Sequence, residues 1–252
     1  MYTSMTRIKI AICSKARANE QKTLKLLYKF FRKEDIYLFI EPQDIKEYEK
    51  YKSVASIVDI KRNGAGIGYA RNFSLNYFKQ DHAVWMIDDD VSGFSYRNFN
   101  GKLKKVRDIK VMAYDLAKEM RTKGLAVIGT KFASIAFYNS DSIGQIANTY
   151  LIDKSKIGLI NYRNNLYYNE EKMFLIDLLA GNKSVGVSER YFHIVEGTGT
   201  KGGGCQKFSE AIKQKSLKKI ISNYPDYCKW FHNKLGEKRL RFKWKKIQES
   251  QS

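Results

Sequence analysis

The strongest chemical signal lies in Trp85-Met86-Ile87-Asp88-Asp89-Asp90, where an apolar run ends in three consecutive carboxylates. Adjacent acids repel one another and buried like charges are costly, so such a cluster calls for a cation. Hard oxygen ligands at a strand end suit Mg2+ or Mn2+ carried by a nucleotide diphosphate. A solvated acidic turn is the plainer reading, and the apolar run before it weighs against that. Upstream, Asn63-Gly64-Ala65-Gly66-Ile67-Gly68-Tyr69-Ala70-Arg71-Asn72 opens a helix that precedes the acids by one helix length. Taken alone this is a glycine turn into a helix. GxGxG lacks the spacing of a dinucleotide fingerprint, and it follows the third strand rather than the first.

The order of the two elements is more specific than either. Asn-Gly, a short gap, Ala-Arg-Asn, a helix and a strand ending in Asp-Asp-Asp resembles the first half of a GT-A glycosyltransferase, especially the family-two class. Motif order is also similar to that of the TET-associated glycosyltransferases of bacteriophages, which modify hydroxymethylated or otherwise hypermodified pyrimidines in DNA. The resemblance runs from about residue 7 to residue 201 and leaves 205–252 outside it. It implies a nucleotide-sugar donor, a UDP-sugar first, with Asn63, Arg71, Asn72, Asp88 and Asp89 against the donor and Asp88 and Asp90 on the metal.

Downstream, Asn169-Glu170-Glu171-Lys172-Met173-Phe174 resembles the family's Glu-Asp-x-x-Phe helix, whose acid deprotonates the acceptor hydroxyl. Glu171 stands at the Asp position, which leaves the base between Glu170 and Glu171; acids in a first helical turn also simply suit the helix dipole. The resemblance further gives His193 as a third metal ligand and Lys201, in a glycine-rich loop, as a cover for the diphosphate. Imidazole and ammonium are chemically competent for those tasks. Ser14, Lys15 and Arg17 after the first strand, and Glu41 after the second, fall where related folds meet the nucleotide base; ordinary loop polarity reads the same way. Inversion would follow from a carboxylate base, whereas the spacing His193-x3-Gly197-x3-Lys201 resembles retaining enzymes, so both outcomes stay open.

Elements that position these groups follow from periodicity. Arg7–Ser14, Asp35–Ile40, Ser56–Ile60 and Ala83–Ile87 read as strands, with helices over Glu20–Arg32, Asp44–Tyr51 and Tyr69–Phe78 between them. This alternation predicts an α/β fold, a mostly parallel, Rossmann-like sheet flanked by helices, with ligands at the strand ends. A helix over Val106–Lys123, strands at Leu125–Gly129, Asn148–Asp153 and Gly158–Tyr162, a helix over Glu170–Ala180 and a last strand from Ser184 continue it. Residues 1–204 are expected to form the transferase domain and 205–252 a basic helical extension, packed through Phe208, Ile212, Leu217, Ile220 and Ile221.

Composition bounds the partners. The 252 residues hold 46 Lys+Arg against 26 Asp+Glu, a net charge of +20, and 13 of those cations fall in residues 205–252 against four acids. Such a surface attracts polyanions, nucleic acid first, although a lysine-rich proteome would raise the charge too. Lys229-Trp230-Phe231 and Lys238-Arg239-Leu240-Arg241-Phe242-Lys243-Trp244 interleave cations with aromatics, a composition suited to phosphates and exposed bases. A basic helix on an anionic membrane, with Trp230 and Trp244 as anchors, competes with that reading. The cysteines Cys13, Cys205 and Cys228 have no CxxC pairing, so neither a disulfide framework nor a zinc site is expected. No apolar run approaches a bilayer span and the first residues lack a signal-peptide core, so a cytoplasmic protein is expected. A sugar nucleotidyltransferase would need glycines where Cys13-Ser14-Lys15-Ala16-Arg17 stands; a catalytically dead DNA-binding module with the same fold is the other alternative.

Overall fold

The computed structural model describes residues 7–79, 83–136, 143–164, 166, 168–195, 210–233 and 236–249. In chain order these form β1 (Ile8–Ser14), α1 (Lys22–Leu27), β2 (Ile36–Ile40), α2 (Ile45–Tyr48), β3 (Ser56–Asp59), α3 (Ile67–Tyr77), β4 (Ala83–Asp88), β5 (Val91–Arg97) and β6 (Leu103–Lys105). There follow α4 (Ile109–Thr122), β7 (Val127–Phe132), β8 (Thr149–Asp153), α5 (Lys154–Ile157), α6 (Glu170–Ala180) and β9 (Val185–Val195). The chain ends in α7 (Glu210–Asn223), β10 (Cys228–His232), β11 (Lys238–Phe242) and α8 (Trp244–Glu249).

Nine strands make one sheet in the order β3-β2-β1-β4-β8-β7-β9-β5-β6. The β3-β2-β1-β4 half is parallel, as its apolar runs predict. Beyond it β8 lies antiparallel between β4 and β7, β9 is parallel to β7, and β5 and β6 add antiparallel strands. Side-chain alternation divides the core between the two faces. Ile8, Ile10, Ile12, Leu38, Trp85 and Ile87 pack with α1 and α4, while Ala11, Phe39, Val84 and Met86 pack with α3 and α6.

Local chemistry moves several expected boundaries. Helix α4 begins at Ile109 because Asp108 caps it, accepting from the Val111 N–H. Helix α1 stops at Leu27 rather than Arg32, and the turn that follows lets Phe31 meet Trp85 edge-on, with ring centroids 6.1 Å apart. Residues 158–162 form a strap rather than a strand, since Asn72 takes both backbone groups of Tyr162 that a ladder would need. The strap crosses α3 at Gly68, where an added Cβ would lie 2.7 Å from the Arg163 carbonyl oxygen. Gly68→Ala should therefore push strap and helix apart and cost about 1–3 kcal/mol, read as a lower melting temperature. An unchanged melting temperature would show that the strap does not hold the helix.

The C-terminal segment is not helical throughout. Between α7 and α8, β10 and β11 pair as an antiparallel hairpin, with Trp230 opposite Leu240 and Phe231 opposite Arg239. The period is two, placing Cys228, Trp230, Leu240 and Phe242 toward the body. Leu217, Ile220, Cys228, Leu240, Trp244 and Ile247 join the same core as α3 and α6. Among the described residues no helix is long and apolar enough to cross a membrane.

Candidate functional site

Three consecutive acids at the end of β4 cannot share one environment, because successive side chains leave a strand on opposite faces. Asp88 turns toward α3, where Arg71 Nη2 approaches one oxygen at 2.7 Å and Asn148 Nδ2 the other at 2.9 Å. Asp89 turns the other way, accepting from Ser14 Oγ at 2.5 Å and Arg17 Nη1 at 2.7 Å. Burial raises the Asp89 carboxyl to about 6 against the pull of Ser14 and Arg17, and the neighbouring acids add to the rise. Tyr48 and Gln21 complete this knot through Ser14.

Asp90 follows in the turn between β4 and β5. Among the described residues its Oδ1 is buried without a hydrogen-bond partner, and its Oδ2 lies 3.8 Å from Arg17. Burial and then repulsion from Asp88 raise this carboxyl. A buried carboxylate oxygen with no donor suits a divalent cation, and Asp88, close enough to repel Asp90, could add a second oxygen although both of its own already accept hydrogen bonds. The turn is clipped by Thr23 on α1, whose Oγ1 donates to the Asp88 carbonyl, lies 3.2 Å from the Val91 carbonyl and accepts from the Val91 N–H. Nothing in the sequence around Thr23 signals this role, and Asn148 likewise becomes visible only once β8 is placed beside β4.

Arg71 is the centre of the site. It is 4% exposed, and besides Asp88 it holds Glu170 with Nη1 at 2.5 Å, with Glu171 3.8 Å away. Its guanidinium lies over the Tyr162 ring, whose hydroxyl meets that of Tyr150 at 2.6 Å. Burial and the Glu171 charge push the Glu170 carboxyl up, while Arg71 draws it back. Glu170 is thus enclosed, whereas the Glu171 carboxylate keeps partial access to solvent. Asn72, expected at the nucleotide, spends its amide on Tyr162 and Asn164 of the strap.

Glu41 gathers the other strand ends. It takes Lys15 at 2.9 Å and the Gly64 N–H at 3.0 Å, with Gln43 bridging to it, while the Asn63 side chain accepts from the Gln43 N–H. Gly64 and Gly66 sit at φ +64° and +83°, the left-handed region that glycine enters freely, and deliver the chain to the start of α3.

His193 is not brought to the acids. It pairs across the ladder with Phe94, four residues beyond Asp90, a backbone offset of up to about 13 Å along the strand. Its Nδ1 meets Thr130 Oγ1 at 2.9 Å, Phe132 packs on its ring, and its Nε2 is buried without a partner among the described residues. Burial lowers its pKa to about 3, with Lys172 adding to the fall. Among the described residues no three His, Cys, Asp or Glu side chains converge as a ligand set. Of the expected metal ligands Asp88, Asp90 and His193, the ladder register therefore separates His193 from the two acids. Lys201 lies outside the described residues.

A family model described as TET-Associated Glycosyltransferase matches residues 8–204. Solved structures with a similar fold include the mannosyltransferase of Pyrobaculum calidifontis in complex with GDP-Man and Mn2+, at TM-score 0.58 and 12% identity over 87% of this chain and 65% of that one. A mycobacterial protein aligns at TM-score 0.55 and 10% identity, covering 95% of this chain and 84% of that one. Mannosyl-3-phosphoglycerate synthase from Rubrobacter xylanophilus aligns at 0.51 and 9%, covering 94% and 87%. At such identities the likeness is one of fold, the GT-A arrangement, and this chain spans just under two thirds of the mannosyltransferase's length. No curated protein sequence matches it.

Proposed function

The chain belongs to the TET-associated glycosyltransferase family, and from that premise we propose that it moves a sugar from a nucleotide-sugar to the hydroxyl of a hydroxymethylated pyrimidine in DNA. The observation that carries this reading is the single guanidinium of Arg71, which spans Asp88 at the end of β4 and Glu170 at the start of α6. Donor-side acids and acceptor-side acids thereby lie within the reach of one side chain.

Glu171 is the general base, being the acid of that pair with access to an incoming hydroxyl. As the acceptor oxygen attacks the anomeric carbon, its proton passes to Glu171 and the bond from that carbon to the diphosphate oxygen breaks. Asp90 and Asp88 would hold a divalent cation, with the diphosphate and water supplying the other ligands, as the reluctance of Mg2+ to shed water favours. When bound, the ion would offset the charge of the departing diphosphate. The mannosyltransferase of similar fold was solved with GDP-Man and Mn2+, which supports a nucleotide-sugar and a divalent metal here. A UDP-sugar is the first donor to test. The Glu41 ring of Lys15, Asn63 and Gly64 borders the donor side, and a base in duplex DNA would have to turn out of the stack to reach Glu171.

Incubating the protein with a panel of nucleotide-sugars, Mn2+ or Mg2+ and hydroxymethylcytosine-containing DNA should add a hexose or pentose mass to the digested nucleosides. Glu171→Gln should slow that transfer by about 10²- to 10⁴-fold while leaving donor binding intact. No added mass on any DNA would move the acceptor to a glycan or lipid.

A further inference from the structure

We infer that the outward face of the β10–β11 hairpin docks the phosphate backbone and an unstacked base of the acceptor strand, delivering it to the start of α6; this rests on the reading that the acceptor is DNA. Alternation sends Lys229 and Phe231 of β10, with Arg239 and Arg241 of β11, to the face opposite Trp230 and Leu240. Lys229 stands directly across from Arg241, and Phe231 across from Arg239. Like charges facing each other in a ladder are unfavourable, so the pairing makes sense where an anion lies over it. The Arg241 guanidinium sits over the Phe231 ring at 4.8 Å, a flat cationic platform on which a base can stack. Glu237, on Arg239 at 2.7 Å, is the acid paired with this face among the described residues.

Placement supplies the second argument. Arg239 Nη1 donates to the Tyr168 hydroxyl at 3.1 Å, and Tyr168 stands two residues before Glu170. Two residues of chain span at most about 7 Å, so through the Tyr168 side chain Arg239 is tied to the segment that leads directly into α6. The face also chooses between polyanions. The hairpin's larger apolar groups, Trp230, Leu240 and Phe242, pack on the body, and Trp244 stacks on Phe242 at 5.4 Å. One Phe among three cations offers little to insert into a lipid interface, where apolar area is what holds a protein.

The experiment measures binding of fluorescein-labelled hydroxymethylcytosine DNA by anisotropy across a salt series, with steady-state transfer on the same DNA. Arg239→Gln/Arg241→Gln should weaken binding at least tenfold and lower the salt slope by about two. KM for DNA should rise while kcat stays within twofold. Phe231→Ala should weaken single-stranded binding about tenfold with the salt slope unchanged, a split that general unfolding would not give. Melting temperatures within 2 °C of wild type establish that the variants fold; if the double glutamine variant melts lower, Arg239→Lys/Arg241→Lys takes its place and should keep the slope while losing the stacking contribution. Unchanged DNA affinity with sugar still transferred overturns the hairpin and leaves the acceptor reading standing. Weakened DNA binding in the variants with no sugar transferred by wild type overturns the acceptor reading instead. Binding to phosphatidylserine vesicles with none to DNA overturns both.

Discussion

Asp90→Asn is expected to lower sugar transfer by about three orders of magnitude, some 4 kcal/mol of barrier, with little change in folding. Among the described residues Asp90 Oδ1, the oxygen proposed for the metal, makes no hydrogen bond, and the approach of Arg17 to the other is 3.8 Å. Replacing the carboxylate with an amide thus breaks no strong contact and relieves repulsion from Asp88, so the melting temperature should hold or rise slightly. Titrating Mn2+ into protein and nucleotide-sugar, followed by calorimetry or thermal shift, should show metal-coupled donor binding in wild type and none in the variant. Asp89→Asn provides the contrast. Asp89 is bonded to Ser14 and Arg17, so its loss should register as lowered stability with metal-coupled binding retained in the folded fraction. Equal transfer by Asp90→Asn and wild type would remove the metal from this strand end.

Arg71→Leu should cost about 3–5 kcal/mol of stability, a fall of roughly 10 °C in melting temperature for a chain of this size. Glu170 is 4% exposed and would be left buried without its counterion, driven to take up a proton, while Asp88 would lose the same partner. Adding Glu170→Leu to Arg71→Leu should restore much of the loss, since a buried ion pair replaced by apolar groups is often neutral while half of one is not. Activity should not return with stability, because Asp88 and Glu171 lose the group that positions them. A variant melting within 2 °C of wild type would show that the ion pair is not what fastens α3 to α6.

Much of this architecture was legible because its clues are local. The β1-to-β4 half is apolar strand after apolar strand, and residues such as Ile8, Ile10 and Ile12 point to burial without knowledge of their partners. The acids of β4, the Arg71 helix and the α6 acids are also visible as motifs. What each residue grips is not. Arg71 meets Glu170 across 99 positions and Asp89 meets Arg17 across 72, and no spacing rule connects them. Ser14, Arg17 and Asn72 looked available to a nucleotide because the partners that use them lie far along the chain. His193 carries a ligand-competent ring, but the ladder register that removes it from Asp90 is a property of pairing β5 with β9. The hairpin was hidden for another reason: its strands alternate Lys and Arg with aromatics, so their inward faces look sparse beside the helical spacing of Leu217, Ile220 and Ile221 just before them.

The two-sided end of β4 bears on how relatives of this chain should be compared. The middle acid braces the β1 loop through Ser14 and Arg17, and natural selection for a folded chain is enough to keep it there. If the flanking pair holds the ion as proposed, drift that erases those two would silence the enzyme and leave the brace, so the outer pair rather than the middle aspartate would tell a working homologue from a pseudoenzyme.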